Sequence, residues 1–360
     1  MNRKKILLGT DTISGVAPQI LKSILLASEE NTPPYGNDIF TDKCKNIIRK
    51  IFEKKDIEII PMMSGTASNS LALSSFLRSY GSILCHSESH INKDEGGAPE
   101  FFSGGGKLLS IPNNTGKLNS KDIQEKLCQL NFKGKQHSKI SGISVTQLAE
   151  NGTIYSKNEI MSISKICKEN NFYLHMDGAR FTNALVSQKN VSPAEATWKI
   201  GIDCLSLGAT KNGAMAAEVI IFFNNDLAAE ARKIIKQTGH MIPKTRFISA
   251  QLNAWFKDGL WLKLAKKANE NAKYLSKKLS KFSDFELSYP TEGNEVFLKI
   301  NMKTYKKILK LNVFPNLWRI INEDDIEIRF VTSFETNFSL IDEIINRLKT
   351  SFSNELDPII

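Results

Sequence analysis

The chain has 360 residues, is 41% hydrophobic and carries 21 Gly and 11 Pro, a composition that excludes collagen-like, low-complexity and largely disordered chains. Its length predicts two domains, or one large α/β unit with an appendage, and enough apolar surface for an enzyme-sized core. Lys and Arg number 48 against 38 Asp and Glu, a net charge of +10 that suits a polyanion, a phosphorylated ligand or a Lys-rich solvated surface.

Five cysteines, Cys44, Cys85, Cys128, Cys167 and Cys204, stand alone, with no CxxC pair and no His at metal-ligand spacing. Neither a disulfide framework nor a zinc site is expected. Arg3, Lys4 and Lys5 precede an apolar run far shorter than a secretory signal requires. No stretch approaches the roughly 18 uncharged apolar residues of a spanning helix. The expectation is a soluble protein of a reducing, cytoplasmic compartment.

From residue 45 to 225 short apolar runs alternate with longer amphipathic segments, the rhythm of βα units and a mostly parallel sheet. The predicted strands are Ile57 to Met62, Ser82 to His86, Lys107 to Ile111, Gly142 to Gln147, Phe172 to Met176, Asp203 to Leu207 and Glu218 to Phe223. Helices are predicted over Ser68 to Ser79 and over Lys157 to Asn170, where Asn170 and Asn171 form a stop. Asp226 to Gln237 and Ala250 to Phe282 read as long helices with Lys on the polar face. Val296 to Ile300 and Ile326 to Thr332 read as strands, and Phe338 to Phe352 as a closing amphipathic helix. The expected architecture is a large domain over residues 1–240 and a small α+β domain over 241–360.

Three junctions carry chemistry. Ser64-Gly65-Thr66 follows a strand and precedes a helix, where small residues let backbone N–H groups approach an anion; an ordinary capped turn uses the same residues. The strand Phe172 to Met176 runs into Asp177-Gly178-Ala179-Arg180, placing a carboxylate at the sheet edge where α/β folds bind ligands. Such a carboxylate can hold a protonated heterocyclic nitrogen and make the ring an electron sink, although Asp-Gly is also a common turn pair. Leu205-Ser206-Leu207-Gly208-Ala209-Thr210-Lys211-Asn212-Gly213 sets one lysine among small residues. A lysine in a dry site condenses with an aldehyde, whereas a lone lysine is ordinarily a solvated charge. The three occur in the order that a pyridoxal phosphate site of the aspartate-aminotransferase fold requires: phosphate cup, ring-nitrogen partner, Schiff-base lysine.

With these residues the chain resembles the low-specificity L-threonine aldolases, fold type I pyridoxal phosphate enzymes grouped with β-eliminating lyases. The resemblance runs through Thr10-Asp11-Thr12, Tyr35-Gly36-Asn37-Asp38, Ser64 to Asn69, Ser89-His90, Glu95-Gly96-Gly97, His175 to Arg180, Gly208 to Gly213, Pro243 to Phe247 and Arg329 to Thr332. It implies an α/β fold with a mostly parallel seven-stranded sheet and a small α+β C-terminal domain. It implies that Lys211 forms the Schiff base, Asp177 pairs with the ring nitrogen, and Gly65 and Thr66 hold the phosphate of pyridoxal 5'-phosphate. His90 stacks on the ring and serves proton transfer, while Thr10, Arg180 and Arg329 surround the substrate carboxylate. Arg246 reaches a neighbouring subunit's phosphate in a homotetramer, a dimer of dimers with sites at the dimer interface. The implied reaction is cleavage of L-threonine or L-allo-threonine to glycine and an aldehyde.

Two departures stand out. Thr10 replaces the usual serine and keeps the hydroxyl, whereas Glu150-Asn151-Gly152 stands where some members carry His-Asn-Gly. His86, His137, His175 and His240 read as structural or exposed, and Phe101-Phe102 with Gly104-Gly105-Gly106 as packing and a turn. Within the fold, the rival readings are a β-eliminating lyase and an aldolase for bulkier β-hydroxy amino acids. Outside it, the +10 charge and the lysines between Lys263 and Lys281 raise a basic nucleic-acid-binding protein, but these lysines fall on amphipathic helices with only Tyr274 among them as a stacking ring, and nothing matches a recognised nucleic-acid motif.

Overall fold

A computed structural model describes residues 4–132 and 137–352; Arg3 lies outside them. The chain divides into a larger unit, Val16–Glu150 with Ile154–Trp261, and a smaller one comprising the residues up to Gly15, Asn151–Thr153 and those from Leu262 onward. The strands in chain order are β1 (Ile6–Leu7), β2 (Glu58–Met62), β3 (Gly81–His86), β4 (Lys107–Ile111), β5 (Lys139–Thr146), β6 (Tyr173–Gly178) and β7 (Cys204–Gly208). They continue with β8 (Glu218–Phe222), β9 (Glu286–Leu287), β10 (Glu295–Asn301), β11 (Val313–Phe314), β12 (Asn316–Ile320) and β13 (Asp325–Val331).

In the larger unit seven strands form one sheet in the order β2-β8-β7-β6-β5-β3-β4. β8 runs antiparallel to both its neighbours and the remaining pairs are parallel. β3, β7 and β8 are buried at every residue, as strands covered on both faces must be, which is why they are mainly apolar rather than alternating. The seven predicted strands therefore match closely, with boundary differences of a few residues.

The helix expected to begin near Ser68 starts at Gly65 instead and ends at Ser74. Ser64 is extended and its hydroxyl accepts the Ala67 amide at 3.2 Å, so the cap sits one turn earlier than the apolar pattern suggests. Lys157–Asn170 is a helix as read from the sequence. Ser156 and Glu159 close a reciprocal capping box, and Asn171 ends it in the left-handed region at φ 56°. The single long helix expected over Ala250 to Phe282 is broken, because Asp258 and Gly259 adopt positive φ between Arg246–Phe256 and Leu260–Leu279. Phe101 and Phe102 divide: Phe102 meets His240, but Phe101 is 77% exposed, since adjacent residues of the short Ala98–Phe102 helix cannot both face inward. Gly104 and Gly105 supply the expected turn with positive φ.

The smaller unit is built on an antiparallel sheet of order β12-β13-β10-β9, with β1 paired in parallel to β11. Ile6, Val296, Leu298, Ile326, Ile328, Ile344 and Leu348 are in its core. Along Leu260–Leu279 the residues Ala268, Ala272, Leu275 and Leu279 are buried while Lys263, Lys266, Lys267, Lys273 and Lys277 are exposed, the solvated face its periodicity predicts. No helix among the described residues is long and apolar enough to cross a membrane.

Close packing of β5 on β6 leaves no room for a side chain at Gly142, where a Cβ would lie 2.6 Å from the Tyr173 carbonyl oxygen and from Phe76 Cε2. Gly142→Ala is expected to lower stability by about 1–3 kcal/mol, the usual penalty for overpacking, measured by urea unfolding followed by circular dichroism.

Candidate active site

Asp177 closes β6 at the C-terminal edge of the sheet and is 3% exposed. Its Oδ1 accepts the Ala179 amide at 3.0 Å and its Oδ2 accepts Asn69 Nδ2 at 2.9 Å. Two donors to one carboxylate offset the desolvation that burial imposes. One row back on the same face, His175 is fully buried between the Ser144 and Ser206 hydroxyls, at 2.9 Å from Nδ1 and 3.1 Å from Nε2. Burial lowers its pKa to about 4, so the ring is neutral at physiological pH and serves as a structural crosspiece.

The helix Gly65–Ser74 begins at the exit of β2. Ser64 Oγ and Ser64 O accept the amides of Ala67 and Ser68, which leaves the amides of Gly65 and Thr66 at the positive end of a ten-residue helix. A Cβ on Gly65 would meet nothing within 4 Å, so the space in front of this end is open. Four residues after Gly65 the same helix supplies Asn69, whose side chain ties it to Asp177.

Asn69 does more than cap Asp177. The same Nδ2 donates to Glu95 Oε1 at 2.8 Å, and that oxygen lies 3.0 Å from His90 Nδ1. The Glu95 side chain is fully buried and that of His90 is 35% exposed. The bond to Glu95 raises the His90 pKa, while burial pushes the Glu95 carboxyl up, so the pair retains a proton to higher pH than a free histidine. Glu150 Oε1 accepts the His90 backbone amide at 3.1 Å. Glu150 therefore anchors the segment carrying His90.

Lys211 lies in a single 3-10 turn, Thr210–Asn212, just beyond β7, and is half-buried. Asn212 clamps the turn by donating to the Trp261 carbonyl at 2.9 Å and accepting the Trp255 indole N–H at 3.0 Å. Gly208 is required there, because a Cβ would lie 2.8 Å from both Ala179 O and Glu218 Oε2. Glu218 opposes Gly208 across the β7–β8 ladder, and its Oε1 accepts the Thr210 amide at 3.4 Å. Burial pushes this carboxyl up to about 7 against the attraction of Lys211.

Arg180 caps the helix Phe181–Ser187 three residues after Asp177 and is buried. Arg246 is half-buried at the head of Arg246–Phe256, its Nε donating to the Ala27 carbonyl at 3.1 Å and its guanidinium 4.7 Å from the Phe247 ring centre. Thr10 and Arg329 belong to the smaller unit. Thr10 Oγ1 accepts the Thr12 amide, and Arg329 donates to Glu295 Oε1 at 3.0 Å and to the Gly9 carbonyl at 3.3 Å beneath the Trp318 ring. Hydrogen bonds thus bring Asp177 and His90 together through Asn69 and Glu95, and Lys211 is joined to them by the neighbouring strand ends.

Residues 8–303 match the family of beta-eliminating lyases. The chain belongs to the β-eliminating lyase family. It is 41% identical over 292 residues to the low specificity L-threonine aldolase of a Pseudomonas species, covering 81% of this chain and 83% of that one. It is 35% identical over 343 residues to the enzyme of the same name from Pseudomonas aeruginosa, covering 94% and 96%. Its structure is similar to that of Leishmania major threonine aldolase, with a TM-score of 0.90 at 27% identity and coverage of 96% and 99%. As a member of this family the protein is a fold type I, pyridoxal phosphate-dependent lyase.

The residues present fit that cofactor. A helix end with open space before it suits a phosphate, a buried two-donor carboxylate suits a cationic ring nitrogen, and a half-buried lysine amine suits an aldehyde. Asn69, Glu95 and Glu218 carry no role in the sequence reading. A polar Asn buried mid-helix and a charge heading the apolar run of β8 were the available signals, whereas Glu95, in a loop, offered none beyond its place beside Gly96-Gly97.

Glu218 and His175 act on stability with opposite signs. Glu218 holds its proton more tightly when folded, so stability falls as pH rises from about 4.5 to about 7; His175 holds it less tightly, so stability falls as pH drops from 6.5 to about 4. In cofactor-free Glu218→Gln the first slope is removed. Urea unfolding is expected to show stability rising more steeply between pH 5 and 7 than in the unaltered protein, by a few kcal/mol across that range.

Proposed function

We propose that the protein cleaves β-hydroxy-α-amino acids, L-threonine and L-allo-threonine first among them, at the Cα–Cβ bond to release glycine and an aldehyde. The observation that carries this reading is the His90–Glu95 pair, tied by Asn69 to Asp177 beside Lys211. With its Nδ1 proton directed to Glu95, His90 has Nε2 available to take the β-hydroxyl proton, and the buried carboxylate stabilises the imidazolium that results. The hydroxyl oxygen then forms the aldehyde C=O as the Cα–Cβ bond breaks. Bound pyridoxal phosphate would supply the electron sink for the pair left at Cα, which takes up one proton to complete glycine.

Lys211 is the cofactor's covalent anchor, Asp177 the partner of its ring nitrogen, and the Gly65 and Thr66 amides its phosphate cradle. Arg180 binds the substrate carboxylate through its planar, paired donors, and within the smaller unit Thr10 and Arg329 are the candidate substrate-binding residues. Arg329 suits that role because Glu295, Gly9 and Trp318 hold its guanidinium in one orientation.

The same proposal extends to assembly and location. A homotetramer, with Arg246 directed at a neighbouring subunit's phosphate, is supported by exposed Leu21, Leu25 and Leu26 on one helix and by Tyr35 and Ile39 beyond it. A cytoplasmic location is supported by five cysteines that all remain thiols.

Borohydride treatment of the yellow holoenzyme is expected to leave a pyridoxyl group on Lys211 by peptide mass spectrometry, and none in Lys211→Ala. Threonine turnover is expected to release glycine and acetaldehyde; pyruvate and ammonia in their place identify the eliminating lyase and overturn the aldolase assignment. Asp177→Asn is expected to lower kcat by about 10²-fold or more, the scale of losing one preorganised charge partner. Arg246→Ala is expected to weaken pyridoxal phosphate binding ~10-fold by fluorescence titration, the scale of a lost charge-assisted hydrogen bond.

A further inference from the structure

The line of side chains from Asp177 to His90 contains an arrangement that holding a ring nitrogen does not by itself require. One amide nitrogen, Asn69 Nδ2, lies 2.9 Å from Asp177 Oδ2 and 2.8 Å from Glu95 Oε1. The NH2 of an Asn side chain has two hydrogens and no acceptor capacity, so each hydrogen serves one carboxylate. Both carboxyl groups are buried, and without these donors they would confront each other as like charges. Glu95 Oε1 also receives the His90 Nδ1 bond, while Glu95 Oε2 and Asn69 Oδ1 are buried without a hydrogen-bond partner. The ionisable groups acting on His90 are Glu95, Asp177 and Glu150, from three different segments of the larger unit, and all three favour its protonated form.

We propose that Asn69 is a positioning residue which, by donating both hydrogens of one amide nitrogen, holds two buried carboxylates side by side and so ties the charge at Asp177 to the proton on His90. The inference rests on the aldolase reading and adds to it that the two ends of the site are one linked equilibrium. Without the amide, the repulsion between Asp177 and Glu95 is relieved by a proton on Glu95. A neutral Glu95 cannot support an imidazolium, and His90 becomes a weaker base. Linkage is reciprocal, so a change of charge at Asp177 is also felt at His90 through the same amide.

The test is a pH titration of the histidine ring signals by NMR in holoenzyme, with His90 assigned by the signal lost in His90→Gln. Cofactor loading is certified by visible absorbance. In the unaltered protein the His90 midpoint is expected above that of a free histidine, and in Asn69→Leu it is expected to fall by ~1 pH unit, about tenfold in proton affinity. Glu95→Gln is expected to move it in the same direction, and so is Asn69→Ala, which removes the donor without overpacking and keeps the test open if Asn69→Leu does not fold. The midpoint of the kcat pH profile should follow the NMR value in each variant that turns over. A coloured Asn69→Leu holoenzyme with an unmoved His90 midpoint assigns Asn69 to packing and overturns the proposal; if that variant does not fold, an unmoved midpoint in coloured Asn69→Ala does so. A preparation that stays colourless with added pyridoxal phosphate and gives no Lys211 adduct overturns the aldolase reading instead, and with it this one.

Discussion

A carboxylate buried at the end of a strand is stable only where the chain returns donors to it, and around Asp177 that requirement organises the larger unit. β6 must end where the Ala179 amide can turn back onto Oδ1, and the helix after β2 must pass close enough for Asn69 to reach Oδ2. Hydrogen bonds to charged groups contribute about 1.5–3 kcal/mol each, and leaving such a group unpaired in the interior is worse by a similar amount. Asn69 satisfies a second buried carboxylate, Glu95, with the same nitrogen, so one side chain stabilises two charges that would otherwise destabilise the fold.

Close approach is the second constraint. Gly178 and Gly208 stand on adjacent strands where a Cβ would lie within 2.8 Å of neighbouring atoms, Leu205 and Ser206 for the first and Ala179 and Glu218 for the second. Their lack of a side chain lets β6 and β7 end together, with Asp177 on one and Lys211 just past the other. Behind them the interior holds two ionisable side chains in neutral or near-neutral form. His175 is kept uncharged by burial between two serine hydroxyls, and Glu218 is pushed up to about 7 in spite of a nearby lysine. Desolvation is the largest cause in both, and neither has an opposite charge close enough to reverse it.

Much of this was legible in the chain. Strands buried on both faces leave apolar runs such as Ile83-Leu84-Cys85 and Val219-Ile220-Ile221-Phe222, and helices with strong caps, such as the one opened by Ser156 and Glu159, announce both ends. Where a boundary depended on one backbone angle, the pattern misled. The break at Asp258 and Gly259 leaves the helical periodicity of the flanking residues intact, and the early start at Gly65 rests on Ser64, whose hydroxyl and carbonyl oxygens accept the Ala67 and Ser68 amides. Glu150, noted only as a departure, proves to hold the His90 backbone.

The order of residues alone determined the α/β class, the strand-end positions of Asp177 and Lys211 and the family, because local periodicity and short motifs are written in neighbouring residues. Tertiary structure alone decided that Asn69, Glu95 and His90, drawn from a helix and a loop far from Asp177 in the chain, form one hydrogen-bonded line. It also decided which carboxyls hold their protons more tightly than usual, as Glu95 and Glu218 do. Hydrogen bonding and desolvation depend on distances of a few ångströms between groups remote in sequence, and no local pattern encodes those distances.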